Sequence, residues 1–133
     1  MSDQKSWVRS KVVGGLIGLF AGGVIIMLVE SAGHALLGTA DPGDLESVTV
    51  PMFLSVLVAW IVGSAVAGAV ATRWSGATSG GLALVTGLIL LGGAVSNMFV
   101  IPHPVWLMVA AVVLMPGAAW AAGNRMVQKA VAP

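Results

Sequence analysis

Apolar and polar positions alternate along this chain in blocks of about twenty, the number of residues an α-helix needs to cross hydrocarbon. From Val12 to Val29 no position carries a charge. Four stretches have the length and hydropathy of a spanning helix: Val12 to Leu37, Pro51 to Thr72, Gly80 to Ile101 and Pro104 to Gly123. Pro51 suits the first turn of a helix, where its missing N–H costs nothing. Between the spans, "WSGATSGG" reads as a tight glycine-serine turn and "IPHP" as a tight proline turn. Only Thr39 to Val50 is long enough to be an ordered loop. The pattern predicts one all-α domain over residues 1–133, an integral membrane four-helix bundle. A basic opening, "MSDQKSWVRSK", precedes the first apolar run as it would in a signal peptide. That run exceeds the roughly 7–15 residues of a signal h-region, so it reads as a permanent helix.

Composition narrows the class. Hydrophobic residues make up 58% of the chain and charged residues 8%, with a mean hydropathy of +1.01. Soluble domains are about 25% charged, so this chain lacks the polar surface to cover a water-facing globule. No cysteine is present, which excludes disulfides and thiolate metal sites. A net charge of +1 offers nothing to nucleic acid. The lipid bilayer is the expected partner.

Charge placement sets the expected orientation. Lys5, Arg9 and Lys11 precede the first span, Arg73 follows the second, and Arg125 and Lys129 follow the fourth. The opposite side carries Asp41, Asp44 and Glu46 but no Lys or Arg. By the positive-inside rule both termini are cytoplasmic. Trp7 and Trp74 at the inner boundary and Trp106 at the outer one fit an aromatic belt.

Small residues recur at four-residue spacing, which lets helix backbones approach where lipid supplies no hydrophobic drive. Gly14, Gly18 and Gly22 form such a row on the first span, and Ser64 with Gly68 on the second. Gly117 with Ala121, and Ala118 with Ala122, do so on the fourth. These rows serve packing within the bundle, against another copy, or against a larger membrane complex. Pro116 is expected to kink the fourth span. "GGLIGLFAGG" and "GGLALVTGLILLGG" open spans one and three, so the two hairpins read as a possible repeat.

The candidate chemistry lies at one level. Glu30 is nineteen residues beyond Lys11, roughly 28 Å of helix, against a hydrocarbon core of about 30 Å. His34 follows one turn later on the same face. Asn97 reaches a similar depth on span three, with His103 just above it in the proline turn. Glu30, His34, Asn97 and His103 are therefore a candidate polar cluster. Three uses of it compete. In the first, Glu30 cross-links helices through hydrogen bonds to His34, Asn97 or the IPHP turn, because buried polar groups need partners. In the second, Glu30, His34 and His103 hold a divalent metal such as zinc. In the third, Glu30 handles protons or ions, as intramembrane ionisable residues often do. Asp41, Asp44 and Glu46 lack EF-hand spacing. Trp60 and Trp120 read as packing residues. Ser31, Ser55, Ser64, Thr86 and Ser96 read as side chains bonded to helix carbonyls. No catalytic motif is present.

"NMFVIPHPVW", Asn97 to Trp106, followed by Pro116-Gly117-Ala118 and Gly123, resembles a loose group of small bacterial four-span membrane proteins. In these an asparagine near the end of span three leads into an I-P-H-P-x-W turn, and Glu30 at the outer end of span one also looks like their pattern. The resemblance implies a four-span fold in a bacterial inner membrane and brings no activity with it. Small multidrug transporters carry their span-one glutamate mid-membrane, unlike Glu30. Fluoride channels differ in span three, where "LILLGGAVSN" replaces a polar Ser-Thr-Phe-type break. The expectation is a non-enzymatic structural or accessory membrane protein without a cofactor. The alternatives are a small transporter or channel component using Glu30, then a metal-binding membrane protein.

Overall fold

The structure, a computed structural model, describes residues 2–39 and 45–132. It is all-helical over those residues, with α1 (Ser2–Leu37), a short 3-10 turn (Leu45–Ser47), α2 (Val50–Ser75), α3 (Gly81–Val100) and α4 (Val105–Val131). All four α-helices are long and apolar enough to span a membrane, so the protein is a multi-pass membrane four-helix bundle. The helices outrun the apolar blocks at the polar ends. α1 begins ten residues before Val12, and α4 runs eight residues past Gly123. Nothing in "SDQKSWVRSK" or "NRMVQKAV" breaks a helix, so the backbone continues after hydropathy has fallen. α2 stops at Gly76, whose left-handed φ of 62° closes the last turn with an N–H to the Thr72 carbonyl. Asp41 and Asp44 lie outside the described residues, whereas Glu46 is exposed in the 3-10 turn.

α2 is the central helix. It touches α1, α3 and α4; α1 also touches α3, while α1 and α4 stay apart among the described residues. The residues that meet define the directions. α1 runs antiparallel to α2, with Gly14 against Ser75 and Gly33 against Ser55. α3 runs antiparallel to α4, with Gly80 against Asn124 and Gly87 against Pro116. The N-terminal part of α1 and the C-terminal ends of α2 and α4 therefore share one end, which gathers all six Lys and Arg residues. There Lys11 Nζ sits 3.6 Å from the Trp7 ring centroid, a cation–π contact one helical turn long.

Two adjacent rows on α2 make the contacts. The first is Ser55, Ala59, Gly63, Ala67, Ala71 and Ser75, small at every fourth position. It receives the α1 row. A Cβ added to Gly18 would lie 2.5 Å from the Ala67 oxygen, and one added to Gly22 would lie 2.6 Å from the Gly63 oxygen. Ser10 Oγ donates to the Ser75 carbonyl at 2.8 Å and ties the inner end of the same seam. The second row is Trp60, Ser64, Gly68 and Thr72, all buried. It receives α4, with Gly68 against the Ala119 backbone and Thr72 against Gly123.

On α4 the inward stripe is Leu107, Ala111, Met115, Ala119 and Gly123, all buried. Gly117 and Ala121 are exposed, and Ala118 and Ala122 only half-buried. Those pairs have the spacing of a packing row but lie beside the seam. α4 continues through Pro116, which is buried against Gly87 of α3.

These close approaches make a sharp mutational contrast. Gly18→Leu should destabilise the bundle by about 3 kcal/mol or more, because the obstructing atoms are the Ala67 and Ala71 backbone and the Ala71 Cβ, which cannot rotate away. Gly23→Leu, with nothing within 4 Å of its added Cβ, should change stability by less than about 1 kcal/mol. Unfolding by SDS titration in micelles measures both.

Candidate functional site

The α1 seam steps through Ser10, Gly14, Gly18, Gly22, Ile26 and Glu30, every fourth residue. Its fifth step carries Glu30 onto α2 beside Ala59 and Trp60. There the Trp60 indole Nε1–H donates to Glu30 Oε1 at 2.9 Å. Trp60 is 4% exposed and belongs to the apolar core with Leu57, Ala94, Leu107, Ala111 and Met115. Glu30 is half-buried. The bond fills the donor that a buried indole must satisfy and links α1 to α2.

The turn between α3 and α4 completes the group. The His103 ring lies 5.8 Å, centroid to centroid, from Trp60 and 5.8 Å from Phe53. Its Nδ1 contacts the Ile101 carbonyl oxygen. A carbonyl only accepts, so Nδ1 carries the proton in this contact. Pro102 and Pro104 restrict the turn on both sides of His103, while Ile101 N–H closes α3 onto the Asn97 carbonyl at 2.9 Å. Glu30 from α1, Phe53 and Trp60 from α2, and His103 from the α3–α4 turn thus form one cluster across three elements.

His34 and Asn97 are not in it. Both are exposed, and the side-chain hydrogen bonds and ring contacts of Glu30, Trp60 and His103 do not include them. The reason lies in helix geometry. A seam of every fourth residue drifts around a 3.6-residue helix, so it must step by three at intervals. Past Glu30 the next residue facing α2 is Gly33, whose added Cβ would sit 2.8 Å from Ser55 Oγ. His34 is thereby turned outward. Accordingly, no group of three His, Asp or Glu side chains placed to hold a metal ion occurs among the described residues. Glu30, His34 and His103 do not converge as a ligand set.

Trp60 joins the site instead, as a donor as well as a packing residue. Of the hydroxyl side chains, Ser55 donates to Met52 O at 2.8 Å, Thr86 to Ala83 O at 2.8 Å and Ser96 to Gly92 O at 3.0 Å. Ser64 breaks that pattern. Its Oγ, like Thr72 Oγ1, is buried without a hydrogen-bond partner among the described residues. Both lie on the crowded α2–α4 seam, where close backbone packing takes precedence.

Comparison of the chain with protein-family models, with curated proteins and with solved structures found no match.

The Glu30–Trp60 bond predicts energetic coupling. In a double-mutant cycle with Glu30→Ala and Trp60→Phe, unfolding in micelles should give a coupling of about 0.6 kcal/mol and no more than about 1.7 kcal/mol, the mean and the upper end for hydrogen bonds between membrane helices. Additive effects of the two substitutions would mean that the bond contributes nothing.

Proposed function

We propose that the protein is a non-enzymatic structural or accessory component of a bacterial inner membrane, with both termini cytoplasmic, that works by associating with itself or with a larger membrane complex. One observation carries this reading: the ionisable groups inside the bundle are used to hold helices together. The Glu30 carboxylate is engaged by the buried Trp60 indole, and the His103 ring packs over that indole and contacts the Ile101 carbonyl. The collection of all Lys and Arg residues at one end supports the orientation. The asparagine-led I-P-H-P-x-W turn supports the bacterial assignment.

Association draws on positions the bundle itself leaves unused. Gly23 on α1, Gly92 and Gly93 on α3 and Gly117 on α4 have nothing within 4 Å of an added Cβ. A second helix approaches most closely where side chains are absent.

The natural absence of cysteine makes the test direct. Single variants Gly23→Cys, Gly92→Cys and Gly117→Cys, cross-linked in native membranes, should trap the protein to itself or to a constant companion at one of these positions. Ala67→Cys, inside the α1–α2 seam, should not cross-link. If all three surface positions stay monomeric and no companion is trapped, the accessory role is wrong.

A further inference from the structure

We propose that the first turn of α3 binds the phosphate of an inner-leaflet anionic phospholipid, of the phosphatidylglycerol kind. The leaflet follows from the basic end lying inside; the accessory role is not required.

α3 begins with backbone donors that nothing uses. It opens at Gly81 behind Gly80, which has no side chain to cap it. Leu84 N–H donates to the Gly80 carbonyl at 3.0 Å, but the N–H groups of Gly81, Leu82 and Ala83 have no acceptor among the described residues. Consecutive N–H groups at a helix start point the same way, and the helix dipole adds positive charge there. The group that fits is an anion with several acceptor oxygens, as a phosphate is.

Two neighbouring side chains add donors of their own. Thr72 is 2% exposed, and its Oγ1 has no partner among the described residues. It lies against this same turn: a carbon placed on Gly123 would sit 2.9 Å from Thr72 Oγ1 and closer still to Ala83 Cβ. Asn124 is half-buried, and its amide packs on Gly80, with Nδ2 3.1 Å from where a Gly80 Cβ would be. Gly81 is exposed and Ala83 is buried. A phosphate entering beside Gly81 meets the Gly81 and Leu82 N–H groups first, with the Thr72 hydroxyl at the back of the turn.

Depth and charge name the source. α3 runs twenty residues, Gly81 to Val100, roughly 30 Å of helix and so about the thickness of the hydrocarbon core. Its first turn therefore stands at a boundary, in the layer of headgroup phosphates. The contacts of Gly80 with Asn124 and of Thr72 with Gly123 bring Arg73 and Arg125 to this level. Both are exposed and unpaired with any acid among the described residues. Of the five acidic residues only Asp3 belongs to this end. Such surroundings favour a phosphate whose charge is not neutralised within its own headgroup, an anionic phospholipid over an ethanolamine one.

The test is native mass spectrometry of the full chain released from bilayers of equal phosphatidylglycerol and phosphatidylethanolamine. The wild type should retain the glycerol lipid about tenfold over the ethanolamine lipid, as charge-assisted hydrogen bonds allow. Gly81→Asp should abolish the preference, because its carboxylate occupies the turn. A carbon at this position meets only Ser79 Oγ, at 3.6 Å, and an acid in the first turn suits the helix. Gln128→Asp makes the same charge change on exposed α4 at the same end and should keep the preference. Thr72→Val should weaken it by roughly fivefold, the value of one ordinary hydrogen bond. Equal retention of the two lipids by the wild type would overturn the proposal, and this arm holds even if Gly81→Asp fails to fold. An unchanged preference in folded Gly81→Asp would assign the lipid to the Lys and Arg residues alone and overturn it too. Loss of the lipid to millimolar inorganic phosphate would assign the turn to free phosphate and overturn the lipid source. Cross-linking at the surface glycines reads out association separately, so the two ideas can fail independently.

Discussion

The bundle depends on helix backbones lying closer together than any side chain would allow. Along the α1–α2 seam, Gly14, Gly18 and Gly22 face Ser75, Ala71, Ala67 and Gly63, and most added carbons there would meet backbone oxygen or nitrogen within 3 Å. In lipid, apolar side chains gain nothing by leaving one hydrocarbon for another. Attraction between helices must come from dense packing and a few polar bonds. Rows of glycine, alanine and serine allow that density. They also fix the register, because a shift by one residue would drive larger side chains such as Val62 and Val66 into the seam.

From that register the site follows. Antiparallel steps of four residues bring Glu30 to the level of Ala59, one position from Trp60. Trp60 heads the neighbouring row that faces α4, so its indole spans both contacts of α2. It donates to α1 through Nε1 and meets the α3–α4 turn through its ring. The only large residue in an otherwise small row is thus the one that joins three elements. α2, which touches every other helix, is the scaffold for all of it.

The four spans are plain in the hydropathy pattern because crossing hydrocarbon imposes a length and forbids charge. Which face of a helix turns inward is less plain. On α4, Gly117 and Ala121 have the same spacing as Ala119 and Gly123, yet only the latter pair meets α2 and α3. Spacing alone cannot separate parallel stripes on one apolar helix; that takes a partner surface. The polar cluster shows the same limit. Depth along the helix groups Glu30 with His34, Asn97 and His103, but depth carries no information about azimuth, and His34 and Asn97 are exposed. A usable signal for Trp60 was present. Laying Gly14, Gly18 and Gly22 against the six small residues from Ser55 to Ser75 in antiparallel register sets Glu30 beside Ala59 and Trp60.

The register of α1 on α2 is the central claim, and its outer end is the most exacting place to test it. Gly33 and Ser55 face each other there, with an added Cβ at Gly33 only 3.0 Å from Ser55 Cβ. In the cysteine-free chain, the double variant Gly33→Cys, Ser55→Cys should form an intramolecular disulfide under mild oxidation in membranes. Val58→Cys, almost one turn along α2, should not pair with Gly33→Cys. A disulfide to position 58 but not to 55 would contradict the register and, with it, the contact between Glu30 and Trp60.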